Sequence, residues 1–261
     1  MSAVGVRADL RQDGSWVAWV SIQNEPKLNT LNSSLMADFV SAIERLAADQ
    51  LLRAVVLTGA GEKAFCGGAD IDEMAALDAS TAEAFITRLH RCCQALRDLP
   101  VPVIGRVQGY ALGAGFELLA ACDLRIAADT AVFGMPEVKL GIPSVVEAAL
   151  LPALVGWGRA RQILLLGENF SASDAEAWGF IEKVVSNRDL DEAVEQWIDS
   201  IVQAGSRAVR LQKKLIRRWE DLPLRDAVLA GIPAFVEAWD SDEPKRLMRQ
   251  FRRGRSRQTG S

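Results

Sequence analysis

The sequence holds a single histidine, His90, and only four cysteines, Cys66, Cys92, Cys93 and Cys122, in 261 residues. That scarcity removes several chemistries. The cysteines form no C-x-x-C pair and stand at no zinc-ligand spacing from the histidine, so they read as reduced thiols of a cytosolic protein, and no metal site is expected. His90 sits beside Arg91 without a triad partner in any recognisable motif, so it reads as a surface or interface residue rather than a catalytic base. Ser144 lacks the G-x-S-x-G surround of a serine nucleophile. The glycine-rich stretch Gly59 to Asp70 contains neither G-x-x-x-x-G-K-[ST] nor G-x-G-x-x-G, which argues against a nucleoside triphosphate. No apolar run is long enough to span a membrane: Ala111 to Ala121 is too short and contains Glu117. Met1 to Val4 carries no basic segment followed by an apolar one, so no secretory signal is expected and a cytoplasmic location is. With a net charge of −4 the chain as a whole does not suit a nucleic-acid partner.

What is present suits one large domain with a small appendage and a well-buried core. Val4 to Leu10 and Trp16 to Ile22 read as strands, with Asp13-Gly14 between them as a hairpin signal. After Asn24-Glu25-Pro26, Ser33 or Ser34 is a candidate cap for a helix carrying Leu35, Phe39, Ile43 and Leu46 at helical spacing. Arg53 to Thr58 is a short apolar run of the kind buried on both faces of a sheet. Ser80 or Thr81 opens a second helix that stops at Pro100, and Leu124 to Ala127 and Ile181 to Val185 read as further strands. Ser173-Asp174-Ala175-Glu176 has a capping-box pattern. From Leu190 onward the pattern is helical, over Leu190 to Val202, Ala208 to Trp219 and Pro244 to Arg253. Strands alternating with helices, then a helical last third, predict an α/β fold with a helical extension; about four alternations are too few for an eight-fold barrel.

The stretch Val101 to Glu137 carries the chemistry. A strand-like run (Val103, Ile104, Val107) ends at Gly109, a turn of Gly and Ala follows, and a helix starts with Glu117 in about its first turn. A second carboxylate, Glu137, follows in Gly134-Met135-Pro136-Glu137. Small residues let a ligand approach the backbone, and a helix start offers unpaired N–H donors. Two carboxylates aimed there could move protons. A glutamate early in a helix is also simply favourable beside the dipole, and a Pro-Glu turn is commonly solvated, so these residues alone leave both readings open.

Six segments, in order, resemble the crotonase superfamily, the enoyl-CoA hydratase/isomerase family. They are Asn29-Thr30-Leu31-Asn32, Leu57 to Gly61, Ala64 to Ile71, Val107 to Leu118, Ala121 to Ala127, and Phe133 to Glu137. The resemblance covers the chain from about Ala18 to the C-terminal helix. It implies a crotonase-like spiral of βα-type turns (residues 1–195) carrying the CoA-ester site, and a helical C-terminal trimerisation region (196–261), assembled as a homotrimer or a dimer of trimers. It implies an enzyme that adds water across a 2-enoyl-CoA, with coenzyme A as part of the substrate and no separate cofactor. Enoyl-CoA isomerase or another acyl-CoA reaction is the alternative, ahead of a non-catalytic scaffold or RNA-binding member. The implied oxyanion-hole donors are the N–H groups of Ala69 and Ala114; the implied acid–base pair is Glu117 and Glu137; and Ala69, Asp70, Ile71 and Asp72, with Ala114, are the implied CoA-ester contacts.

The chain also departs from the family pattern. After the second glutamate the family often has G-x-x-P-G-x-G-G-T-x-x-L, where this chain reads Gly141 to Pro152 with the bulkier Ser144-Val145-Val146-Glu147. Glu147 is expected to be a polar residue on a helix, with a third carboxylate near the acyl chain as the alternative, because a buried unpaired carboxylate is costly. Phe116 is expected to narrow the pocket. The basic tail (Lys245, Arg246, Arg249, Arg252, Arg253, Arg255, Arg257) reads as a solvated helix face, as counter-charge for the CoA phosphates or, least of the three, as a nucleic-acid contact.

Overall fold

The residues that alternate or run apolar along the N-terminal part build a six-stranded sheet. The structure, a computed structural model, describes residues 4–258, with side chains up to residue 253. The strands of the large sheet are β1 (Val4–Leu10), β2 (Trp16–Ile22), β3 (Leu52–Gly59), β5 (Val103–Val107), β7 (Leu124–Ala128) and β10 (Lys183–Val185), hydrogen-bonded in that order. β1 and β2 form the antiparallel hairpin, with Gly14 at φ +82° in the turn, and every later pairing is parallel. A two-sided burial explains why β3 reads as an unbroken apolar run. A second, smaller sheet joins β4 (Ala64–Cys66), β6 (Tyr110–Leu112), β8 (Val132–Gly134) and β9 (Phe170–Ser171).

Two long helices cover the large sheet. α1 (Ser33–Ala47) buries Leu35, Met36, Phe39, Ala42, Ile43 and Leu46, and α3 (Ala82–Asp98) buries Phe85, Leu89, Cys92, Cys93 and Leu96. The cap of α1 is Asn32, whose side chain accepts from the Leu35 N–H at 2.8 Å, and not Ser33 or Ser34. Between these helices lies the short α2 (Ile71–Ala75), capped by Asp70. The short helix α4 (Ala114–Ala120) is buried along its whole length, so its packing and not an amphipathic pattern defines it. α5 (Leu151–Leu166) bends at Gly156 (φ +74°). The capping box that opens α6 (Ala172–Ala177) is Ser171 with Asp174, two residues earlier than the sequence pattern suggested, because Ser171 rather than Ser173 precedes the first helical turn.

Beyond α7 (Leu190–Gln203), the chain continues with α8 (Ser206–Asp221), α9 (Leu224–Ala238) and α10 (Glu243–Gln258). It divides into two compact units, the first ending at Ile198 and the second beginning at Asp199. α9 is the helix that periodicity did not reveal. Pro233 lies inside it, and Leu224, Val228, Leu229, Ile232, Phe235 and Val236 are exposed rather than turned to a core. On α10 the basic residues up to Arg253 are described; Arg255 and Arg257 lie outside the side chains described. Among the described residues, no helix is long and apolar enough to cross a membrane.

One buried charge ties β7 to its surroundings. The Arg125 guanidinium donates to the carbonyls of Phe180 (2.7 Å), Cys122 (2.9 Å) and Leu119 (3.1 Å) and pairs with Glu182. Removing such a group strands several buried acceptors and one carboxylate. Arg125→Leu should therefore cost about 3–5 kcal/mol of stability, measured as a lower midpoint in urea unfolding.

Candidate active site

The site is set by two backbone segments that glycine allows to touch. Gly68 has φ +108°, and a side-chain carbon there would lie 3.1 Å from the Leu112 carbonyl oxygen and 3.9 Å from the Ala114 nitrogen. The Gly67–Ala69 segment is held on its other side by chain pairing: Gly67 N–H donates to Leu28 O (2.7 Å), Leu31 N–H to Gly68 O (2.8 Å) and Asp70 N–H to Leu31 O (2.8 Å). Gly113, at φ +50°, donates its N–H to Gly134 O (2.9 Å) and turns the chain from β6 into α4. Ala69 and Ala114 thereby line one cavity of about 110 Å³. Among the described residues neither Ala69 N–H nor Ala114 N–H donates to a protein acceptor. Ala114 begins α4, where helix N–H groups lack intrahelical partners. An oxygen gaining negative charge in this cavity has two backbone donors and a helix start within the lining.

Both sequence-identified carboxylates line the same cavity. Glu117, in the first turn of α4, is 4% exposed, and its Oε1 accepts from the Ala148 N–H at 3.2 Å. Burial, with the nearby Glu137 charge adding to it, pushes its carboxyl up to about 9 against the opposing pull of the Ala148 N–H. Glu137 lies in the 3-10 turn Pro136–Leu140, with Oε2 accepting from the Ser144 hydroxyl at 2.9 Å. Burial raises its carboxyl too, while its own backbone N–H and Ser144 pull the other way. Its other oxygen packs on Gly113, where a side-chain carbon would come within 2.4 Å of Oε1. Two acid groups with unequal pressure on their protons can hold one proton between them, the state in which one gives and the other accepts.

The rest of the cavity is apolar, with Met74, Phe85, Ile86, Leu89, Ile142 and Val145 in its wall. Ile71 also lines it and is exposed. Asp70 is committed elsewhere: its carboxylate caps α2 through the Glu73 N–H (3.1 Å) and pairs with Lys27 (2.9 Å), which hold it below the usual carboxylate range. The exposed Asp72 pairs with the same lysine at 2.9 Å. Phe116 does not narrow the cavity. It turns inward and stacks on Phe180 at a centroid distance of 4.1 Å, with Phe133 and Phe170 edge-on.

Two residues take unexpected places. Glu147 is not a solvated helix residue: it is 6% exposed, and its Oε1 lies 2.8 Å from His90 Nδ1. Ser144 serves Glu137. Neither could be read from local pattern, since the His90–Glu147 contact spans 57 residues of sequence; the one signal was the replacement of small residues by Ser144-Val145-Val146-Glu147. Among the described residues no group of His, Cys, Asp and Glu is placed to hold a metal ion.

The two-sheet arrangement with its C-terminal helices is the crotonase fold: it superposes on the crystal structure of an enoyl-CoA hydratase from Bacillus anthracis with a TM-score of 0.90 and 30% identity, covering 95% of this chain and 96% of that one. A family model described as enoyl-CoA hydratase/isomerase matches residues 12–258. A short-chain-enoyl-CoA hydratase of Clostridium acetobutylicum is 36% identical over 243 residues, 93% of each chain. A crotonyl-CoA hydratase of Syntrophomonas wolfei is 34% identical over 230 residues, 87% of this chain and 88% of that one. The chain belongs to the enoyl-CoA hydratase/isomerase family.

The raised carboxyl of Glu117 has a consequence for stability. Its folded value, about 9, lies above the ordinary 4.5, so the folded state binds more protons than the unfolded state between these values. Stability is then lost as pH rises through that window. Glu117→Gln removes this loss, so its melting temperature should exceed that of the wild type by more at pH 8 than at pH 5. For Glu137, Ser144→Ala removes a hydrogen bond to the charged form, and its carboxyl should titrate at higher pH, read by NMR of protein labelled with ¹³C at glutamate carboxyls.

Proposed function

We propose that this chain is an enoyl-CoA hydratase, adding water reversibly across the double bond of a 2-enoyl-CoA thioester. The observation that carries the reading is the convergence of Glu117, Glu137 and two unpaired N–H groups on one cavity. In this reading the thioester oxygen accepts from the Ala69 and Ala114 N–H groups. As water adds to the β-carbon, the π electrons of the double bond shift away from that carbon towards the thioester, negative charge develops on this oxygen, and the two donors stabilise it. Water sits between Glu117 and Glu137. One carboxylate takes a proton from it as the C–O bond forms, and the other carboxyl delivers a proton to the α-carbon; in dehydration the roles reverse. Fixed geometry supplies much of the advantage. Gly113 with the Ser144 hydroxyl holds Glu137, and the Ala148 N–H holds Glu117.

The segment from Ala69 to Asp72 is the proposed contact for the CoA part of the substrate. Because Asp70 spends its carboxylate on Lys27 and the helix cap, the backbone of this segment and the exposed Ile71 are what it offers. The apolar wall suits a hydrocarbon acyl group, in keeping with the names of the two relatives, a short-chain-enoyl-CoA hydratase and a crotonyl-CoA hydratase. Assembly as a homotrimer or a dimer of trimers is part of the same proposal. Its support within the second unit is α9, whose apolar residues, Phe235 at 68% exposure among them, are uncovered in the single chain.

Turnover of crotonyl-CoA and of a longer 2-enoyl-CoA tests the reaction. The wild type should hydrate at least one of them, and Glu117→Gln and Glu137→Gln should each lower kcat by about 10²–10⁴-fold. No hydration on either chain length sinks the hydratase reading, and activity that survives Glu137→Gln but not Glu117→Gln favours the isomerase. For assembly, Phe235→Glu should lower the mass measured by light scattering on a sizing column; an unchanged mass removes α9 from the interface.

A further inference from the structure

The acid–base reading uses two carboxylates, yet a third is buried beside them. Glu147 opens the 3-10 turn Val146–Leu150, one residue before the Ala148 N–H that grips Glu117. Its Oε1 meets His90 Nδ1 at 2.8 Å, and its Oε2 is buried with no hydrogen-bond partner. The His90 side chain is 48% exposed, so the pair runs from solvent to the back of the site. The backbone marks the same spot. Val146, a β-branched residue, has φ +40°, a strained conformation that persists where the surroundings impose it. A strained valine followed by a buried carboxylate is an expensive way to make a turn unless the carboxylate has a task.

We propose that Glu147, held by His90, is a positioning residue for Glu117: it anchors the turn that presents the Ala148 N–H, and it sets a third carboxyl group behind that of Glu117. The inference rests on the reading of Glu117 as an acid–base group. The titratable groups facing the two carboxylates are His90, Cys92 and Cys93 on α3, and Glu137 from its 3-10 turn; Cys66 of β4 meets α4 at Gly115 through its carbonyl oxygen and Cβ. No Lys or Arg forms an ion pair with Glu117, Glu137 or Glu147 among the described residues, so the His90 ring is the side chain that holds Glu147 there. Like charge disfavours ionisation of a neighbouring acid, and Glu147 acts on Glu117 in that sense.

The test titrates Glu117 itself in ligand-free protein labelled with ¹³C at glutamate carboxyls, its resonance assigned by its loss in Glu117→Gln. Glu147→Gln keeps the side chain's shape and removes its charge, and should move the Glu117 midpoint to lower pH. His90→Phe takes away the hydrogen-bonding partner that holds the Glu147 carboxyl group in place behind Glu117. It should move the midpoint the same way, and the double variant should move it no further than the larger single shift. A midpoint that stays in place in both single variants, or shifts that add in the double variant, overturns the proposal. Since His90 is half exposed, His90→Phe supplies the answer if Glu147→Gln does not fold. The titration needs no turnover, so it fails or holds separately from the hydratase reading. If that reading also holds, kcat for 2-enoyl-CoA hydration should fall in Glu147→Gln by about tenfold with KM changed less than twofold, and Glu147→Asp should restore part of it.

Discussion

Two stretches of backbone must come within van der Waals distance for this site to exist. Gly68 faces the Leu112 carbonyl and the Ala114 nitrogen across a gap that a side-chain carbon would crowd, and Gly113 offers the bare surface on which Glu137 rests. Everything else is arranged to hold that contact. The parallel pairing of β4 with β6 and the bridge between Leu31 and Ala69 bring the two segments side by side. The hydrogen bond from Gly113 to Gly134 then ties the second segment to the strand that leads into Glu137. Because backbone groups make the contact, the residues at Ala69 and Ala114 need only be small. In the proposed reaction the donors are fixed before any ligand arrives, and fixed donors need no reorganisation as charge develops.

Placing two carboxylates in the wall of an apolar cavity and a third buried behind them works against folding, and the structure shows how the cost is limited. Each has a specific polar partner from a different source. Glu117 takes a backbone N–H from Ala148, Glu137 takes the Ser144 hydroxyl, and Glu147 takes the His90 ring. Two of these partners, Ser144 and Ala148, lie on the segment after Glu137, and Glu147 lies there with them. That segment therefore does more than close the cavity. It spaces the acids and decides how much each proton is held, which is the property an acid–base pair needs.

The large sheet and the covering helices were legible because their signals are local. The β1–β2 hairpin follows from Asp13-Gly14 between alternating strands, β3 from its continuous apolar run, and α1 from apolar residues at helical spacing. The positions of Glu117 and Glu137 were legible through the motifs around them. The second sheet was not, because strands of two or three residues carry no period to read. α9 was hidden for another reason: Pro233 argues against a helix, and its large apolar residues form an exposed face instead of a buried stripe. The role of Ser144 and the burial of Glu147 depend on contacts across the fold that spacing in one segment cannot express.

The segment Ser144 to Glu147 also bears on what distinguishes this chain within its family. A glycine run there would give a flexible, featureless wall. Here Val145 adds apolar surface to the cavity, Val146 adds strain, and Ser144 and Glu147 add polar groups aimed at or behind the acids. Such a wall is stiffer and more apolar towards the ligand, yet more charged on its far side. The two effects have one physical sense. Removing water and polar surface from the ligand's side strengthens every electrostatic interaction across the cavity. The Glu147 carboxyl group lies behind Glu117 in the same poorly screening medium, which is the physical basis of the coupling proposed between the two.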